Sequence, residues 1–186
     1  MNNTDVIIQL SDFIKRYKNC KNIKLCVKFG KYSQFGFEEG IFSVENYEKI
    51  LKLLESCETW EDKKVMLNDK YIEKPIKIID SLLIRYIGTP YDFIITAETV
   101  DKEQFFVSEM NKSKIDKFKR KYHWFILSKN KDERFIGQEN FNFSLEIIGN
   151  EKIKDSYLSE STFLKIKDII NACEKIENDS YLEKVN

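Results

Sequence analysis

The chain has 186 residues, of which 42% are hydrophobic and 33% charged; this is the composition of a folding domain and excludes a disordered chain. Its 31 basic and 31 acidic residues cancel, so bulk charge gives no support for nucleic-acid binding and leaves only a local basic patch. Cys20, Cys26, Cys57 and Cys173 are scattered without a CxxC pair beside a single histidine, which argues against a zinc site and reads as free thiols in a reducing compartment.

The length suits one domain spanning 1–186. No stretch resembles a signal peptide, and no apolar run approaches the roughly 20 residues that cross a bilayer. The expectation is a soluble, intracellular protein with no membrane partner.

In chain order, Val6, Leu10, Phe13, Ile14 and Tyr17 predict an amphipathic helix over 4–18 with Thr4 as N-cap. Residues 22–29 alternate: Ile23, Leu25, Val27 and Phe29 face one way and Lys24, Cys26 and Lys28 the other, the period of a strand. Gly30, Gly36 and Gly40 punctuate a loop or short hairpin. Ser43 caps a second helix over 43–56, with Val44, Tyr47, Ile50, Leu51 and Leu54 on one stripe. Residues 59–67 carry only a weak pattern. From 69 to 148 the chain reads as a β-meander, with turn signals at Gly88-Thr89-Pro90, Lys129-Asn130-Lys131-Asp132 and Gly149-Asn150, and Pro75 marking an edge or bend. A last helix is predicted over 159–177, on the stripe Phe163, Ile166, Ile169, Ile170, Cys173 and Ile176, with fraying after Asn178. Consecutive strands with short turns favour an antiparallel sheet or barrel, with helices at both chain ends covering its outer faces.

The opening third carries a motif set: Lys28-Phe29-Gly30, Phe35 and Gly40, Ser43-x-Glu45-Asn46-Tyr47, then Leu53-Leu54. It resembles the start of the triphosphate tunnel phosphohydrolases, specifically the RNA 5′-triphosphatases of fungal and large-DNA-virus mRNA capping systems. Looser matches follow at Asp69-x-Tyr71 to Ile76-Lys77, at Lys119 to Trp124 and at Phe143 to Ile147. The resemblance implies an α+β fold: an antiparallel β-barrel of about eight strands around a triphosphate, flanked by helices. In that family, inward lysines and arginines bind phosphate oxygens, and carboxylates from two strands hold Mg²⁺ or Mn²⁺. Here Lys28, Lys77, Lys119 and Lys121 are the phosphate or RNA candidates that the resemblance implies.

The metal positions depart from the pattern. Carried over residue by residue, the first-strand glutamates fall on Lys24 and Cys26, and the late-strand ones on Ser144, Glu146 and Ile148. Only Glu146 keeps a carboxylate, the one metal ligand or catalytic group left if the chain is active. Lys24 stands where a cation is expected and is available to pair with Glu146. The short span before Glu146 leaves two readings open: a missing barrel strand, or a missing final acidic strand.

Other residues admit plainer readings. Lys119, Lys121 and His123 would share one strand face, either as an inward basic wall or as a solvated edge. His123 reads as surface or satisfied core, not as a general base. Glu38-Glu39 reads as a solvated loop, Cys26 as small apolar filling, and Glu98, Glu103 and Glu109 lack a fixed phase.

The functional expectation is a non-catalytic or degenerate tunnel protein, a subunit or binding module of a viral or plasmid-type capping or transcription apparatus. Its partners would be a capping or transcription protein and an RNA 5′-triphosphate end, in the cytoplasm, a viral factory or a virion. No cofactor is expected. The alternative is an active, divergent RNA 5′-triphosphatase using Mg²⁺ or Mn²⁺; a weaker one is an unrelated α+β interaction module.

Overall fold

Alternation along the first apolar segment builds the strand at the centre of the fold. The structure, a computed structural model, describes residues 2–68, 71–73, 76–85, 89–100, 106–108, 111–132, 138–149 and 152–183. The strands are β1 (Lys24–Ser33), β2 (Gly36–Glu39), β3 (Asp62–Asn68), β4 (Tyr71–Glu73), β5 (Ile76–Ile84), β6 (Asp92–Val100), β7 (Phe106–Ser108), β8 (Asn111–Arg120), β9 (His123–Asp132) and β10 (Glu139–Ile147). The helices are α1 (Asn3–Tyr17), α2 (Val44–Glu55) and α3 (Asp155–Glu183).

The main sheet has eight antiparallel strands in the order β3-β8-β9-β10-β1-β6-β5, with β2 paired to β1; β4 and β7 form a separate ladder. This is the expected α+β antiparallel class. Among the described residues β3 and β5 do not pair with each other, so the sheet is not closed. Nor is it a simple meander: β1 is inserted between β10 and β6.

All three helices pack on one face, the one carrying Leu25, Val27 and Phe29 of β1, through Leu10 and Phe13 of α1, Tyr47 and Ile50 of α2, and Phe163 and Ile166 of α3; Val44 of the expected α2 stripe stays 40% exposed. Helices at the two ends of the chain therefore share a side instead of covering separate outer surfaces. Aromatic rings knit that side together: Phe29 lies 5.3 Å from Phe143, and Trp60 5.0 Å from Phe125 and 5.3 Å from Phe118, between ring centroids.

The motif residues around the β1–α2 connection have structural work. Ser43 Oγ accepts from the Asn46 N–H at 3.1 Å as the N-cap of α2. The Asn46 amide donates to the Tyr91 hydroxyl, which itself donates to Ile41 O at 2.7 Å. Tyr47 packs on Phe141 with centroids 5.1 Å apart. Asn46 and Tyr47 of the Glu-Asn-aromatic signature thus tie α2 to Tyr91, just before β6, and to β10. Gly30 is dictated by the approach of β2: a Cβ there would sit 2.1 Å from Glu38 O.

Several sequence expectations are corrected. The N-cap of α1 is Asn2, not Thr4, its side chain accepting from Asp5 N at 2.9 Å. Glu38 and Glu39 lie on β2, not in a solvated loop, because β2 returns antiparallel along β1. The weakly patterned 59–67 contributes the edge strand β3. Lys129 to Asp132 continue β9 instead of turning, since β8 and β10 pair them on both sides. α3 starts four residues before 159 and runs past Asn178. The segment 117–127 is two strands: Lys121 and Tyr122 make a two-residue hairpin, with Lys121 at φ 49°. Asp69, Pro75, Gly88, Glu103, Glu109 and Asn150 lie outside the described residues.

The hairpin moves His123 off the face of Lys119. It pairs with Arg120 and Ile147, is fully buried under α3, and shares a 2.8 Å hydrogen bond between Nε2 and Thr162 Oγ1. Burial, reinforced by the Lys165 ammonium, pushes its pKa from 6.5 down to about 3.

Two outcomes follow. Gly30→Ala is expected to lower stability by about 3 kcal/mol, read as a fall in the urea midpoint. His123 stays neutral in the folded chain while the unfolded chain takes up its proton near 6.5. Its contribution is therefore full above that pH and declines below it, by up to about 1.4 kcal/mol per pH unit. Urea titrations between about pH 6.5 and 5, before most carboxylates protonate, should show this slope, and His123→Gln should flatten it.

Candidate functional site: a lysine and glutamate face

The second face of the sheet is read from the register. Across from Cys26 stand Glu146 on β10 and Thr96 on β6; across from Lys28 stand Ser144 and Ile94; Lys24 faces Glu98. The row continues outward from Glu146 through Trp124 to Lys119 and Asp62, and from Ser144 through Ile126 to Lys117 and Lys64. The strands aligned with the tunnel family's two acidic strands are thus neighbours, with their aligned positions facing one another.

Lys28 Nζ donates to Glu98 Oε1 at 2.6 Å, with the two side chains 18% and 2% exposed. In register, Lys28 and Glu98 flank the Cys26–Thr96 pair diagonally, one on each side. Their side chains close over it, which accounts for the burial of Cys26 and Thr96 on an otherwise open face. The Thr96 hydroxyl donates to the same Glu98 oxygen at 2.7 Å. A second carboxylate, Glu39, approaches Lys28 to 4.0 Å.

The electrostatics follow from this packing. Burial opposes the Lys28 charge, but the Glu98 hydrogen bond and the Glu39 and Glu98 carboxylates hold its pKa above the ordinary lysine value. Glu39 is pushed up by burial and by Glu98, against the pull of Lys28. The Cys26 thiol is driven up to about 12 by burial and by Glu98; it is packing, not a nucleophile. At the rim, Lys24 Nζ lies 3.7 Å from Glu146 Oε2, both partly exposed. At the opposite end of β1, beyond Lys28, a cavity of about 450 Å³ is bordered by Glu38, Glu39, Glu139 and three asparagines.

The other sequence candidates disperse. Lys119 shares the face of Glu146 and Cys26. Lys77 pairs with Thr99, whose phase is that of Ala97 and Ile95, so it belongs to the opposite side and is exposed. Lys121 is in the hairpin turn, exposed, and belongs to no strand. Glu98 is the residue that sequence reasoning left unplaced. The alternation of Phe93, Ile95 and Ala97 against Ile94, Thr96 and Glu98 fixes its face.

Mg²⁺ or Mn²⁺, which the tunnel family implies, does not fit these residues. At the aligned positions the one carboxylate, Glu146, lies beside an ammonium, and Glu98 spends an oxygen on two donors. Among the described residues no group of three or more His, Cys, Asp and Glu is placed to hold a metal ion.

Lys28→Ala leaves Glu98 buried without its counter-charge and should cost about 3 kcal/mol. Lys28→Met combined with Glu98→Leu should recover most of that, and Lys24→Ala at the exposed rim should cost under about 1 kcal/mol. Urea midpoints of the four proteins, wild type included, check the ranking.

No protein-family model and no curated protein matches the chain by sequence. Solved structures do. The chain is similar to the S. pombe RNA triphosphatase Pct1, with TM-score 0.56 and 11% identity over 97% of this chain and 91% of that one. It is equally similar to Pct1 in complex with the Spt5 CTD, with TM-score 0.56 and 10% identity over 97% and 92%. The architecture of sheet and helices is that of the RNA-triphosphatase tunnel fold, here with a sheet that is not closed among the described residues.

Proposed function

We propose that this protein is a tunnel-fold binding subunit without triphosphatase turnover, serving an mRNA capping or transcription apparatus of viral or plasmid type. The observation that carries the reading is the Lys28–Glu98 pair at 2.6 Å, with Lys24 beside Glu146. Ammonium groups fixed to the chain neutralise the carboxylates of this face, where the family recruits a divalent ion. A lysine balances charge but offers no open coordination position to polarise a phosphoryl oxygen. The proposed ligands are a protein of the capping or transcription machinery and an RNA 5′-triphosphate end. That Pct1 is solved with the Spt5 CTD supports the protein partner. Lys117 and Lys119, on the face of Glu146, support contact with phosphates. No described helix is long and apolar enough to cross a membrane; a cytoplasmic or virion location is part of the proposal.

Phosphate release from 5′-triphosphate RNA and from ATP, each with Mg²⁺ and with Mn²⁺, tests this directly. The expected result is release no faster than that of a Glu146→Ala control. Robust release that Glu146→Ala abolishes would overturn the proposal in favour of an active, divergent RNA triphosphatase.

A further inference from the structure

The helix side of the molecule holds a second cavity, of about 520 Å³, away from the lysine and glutamate face. It lies between the C-terminal end of α2, the middle of α3 and the β8–β9 hairpin. Its apolar walls come from Leu53, Leu54, Trp60, Phe125, Leu164 and Ile169. Leu53 and Leu164 stay 40% and 55% exposed at the mouth, although Phe163, Ile166, Ile169, Ile170 and Cys173 of α3 are buried. The size and the mostly apolar lining are those of a small-ligand pocket.

One wall is cationic. Arg120 and Lys165 both line the cavity, as does one carboxylate, Asp168, and Lys121 is next to Arg120 at the hairpin. Burial, then repulsion by Arg120 and Lys121, holds Lys165 below the ordinary lysine pKa, with Asp168 pulling the other way. Lys165 Nζ donates to Ser161 Oγ at 2.8 Å, and Arg120 Nη1 approaches Cys57 Sγ at 3.9 Å. Among the described residues no carboxylate comes within ion-pair distance of Arg120 or Lys165. Two clustered cations against one lining carboxylate outside ion-pair distance leave the wall net positive, and an incoming anion would relieve the repulsion between the cations as well as pair with them.

We infer that this cavity binds an amphipathic organic anion, its aryl or branched alkyl body in the apolar floor and its single carboxylate, sulfonate or phosphate against Arg120 and Lys165. The cavity contains its own reporter. Cys57 lines the mouth, half-exposed. Hydrogen bonds to Thr59, with help from Arg120, lower its thiol pKa despite some burial, which favours the thiolate that alkylating reagents modify.

Anilinonaphthalene sulfonate is the probe. Fluorescence titration should give one saturable site, and bound probe should slow iodoacetamide labelling of Cys57, followed by peptide mass mapping, without slowing that of exposed Cys20. Arg120→Gln with Lys165→Gln should weaken binding about tenfold or more, and Leu164→Glu, at an exposed position that folding does not need, should abolish it. N-acetyl-tryptophan should displace the probe, and its neutral amide should not. Unsaturable binding, unprotected Cys57, an unchanged affinity in the double variant or equal competition by the amide would each overturn the inference. None of these readouts involves phosphate release, so the result is independent of the triphosphatase question.

Discussion

An ammonium drawn into a protein face gives up water and must be given donors' partners in return. Lys28 has its return in Glu98, nearly fully buried at 2.6 Å, with Thr96 sharing the same oxygen. The geometry works in one register only. Lys28 on β1 and Glu98 on β6 reach each other because they flank the Cys26–Thr96 pair diagonally. A slip of one residue would send Lys28 into the aromatic side and Phe29 to the polar side. A buried ion pair is a weak source of net stability, so the energy of the fold comes from the apolar side, where Phe29, Phe93 and Phe143 are fully buried. The pair specifies position, and the aromatic layer supplies the attraction.

How far the sequence reveals this depends on the range of each signal. β1 is legible because its period of two is uninterrupted, and α2 because Ser43 stands immediately before an apolar stripe. The phase of β6 is written just as locally in Phe93, Ile95 and Ala97, but isoleucine at 94 fills a gap in the polar set and blurs it. The hairpin at Lys121-Tyr122 carries no glycine, asparagine or proline, although Lys121 takes a positive φ; without a turn signal the two strands read as one. Lys129 to Asp132 err the other way. Their composition is that of a turn, and pairing with β8 and β10, aided by the Lys129–Glu139 ion pair at 3.7 Å, holds them extended. The placement of β1 between β10 and β6 leaves no local trace, because long-range pairing is decided by the whole set of strands.

The candidate site divides along the same line. That Lys24, Cys26 and Lys28 share a face is a property of one strand and can be read from it. That Glu98 neutralises Lys28 while Lys24 lies by Glu146 is a property of three strands. It needs both registers at once, β1 on β10 and β1 on β6. Sequence alignment to an acidic pattern names the positions and their charges, but not which charge answers which.

Because side chains alternate along every strand, the two faces of the sheet are nearly independent in what they demand. The helix side fixes β1 through Leu25, Val27 and Phe29, the β2 approach through Gly30 and the α2 entry through Asn46 and Tyr91. Of these residues only Gly30, which lies opposite Glu39 and admits β2, bears on the charge balance of the other face. A face of this kind can hold acids with a divalent ion, or acids with tethered lysines, over the same packing layer; what it cannot hold is acids alone, since close carboxylates repel in a poorly solvated place. The tethered solution differs from the ionic one in permanence. A divalent ion leaves with dilution or chelation, whereas Lys28 is always present, its Nζ held 2.6 Å from Glu98 Oε1. On the reading proposed above, that permanence keeps the face assembled as a surface for a partner while leaving nothing on it to activate water.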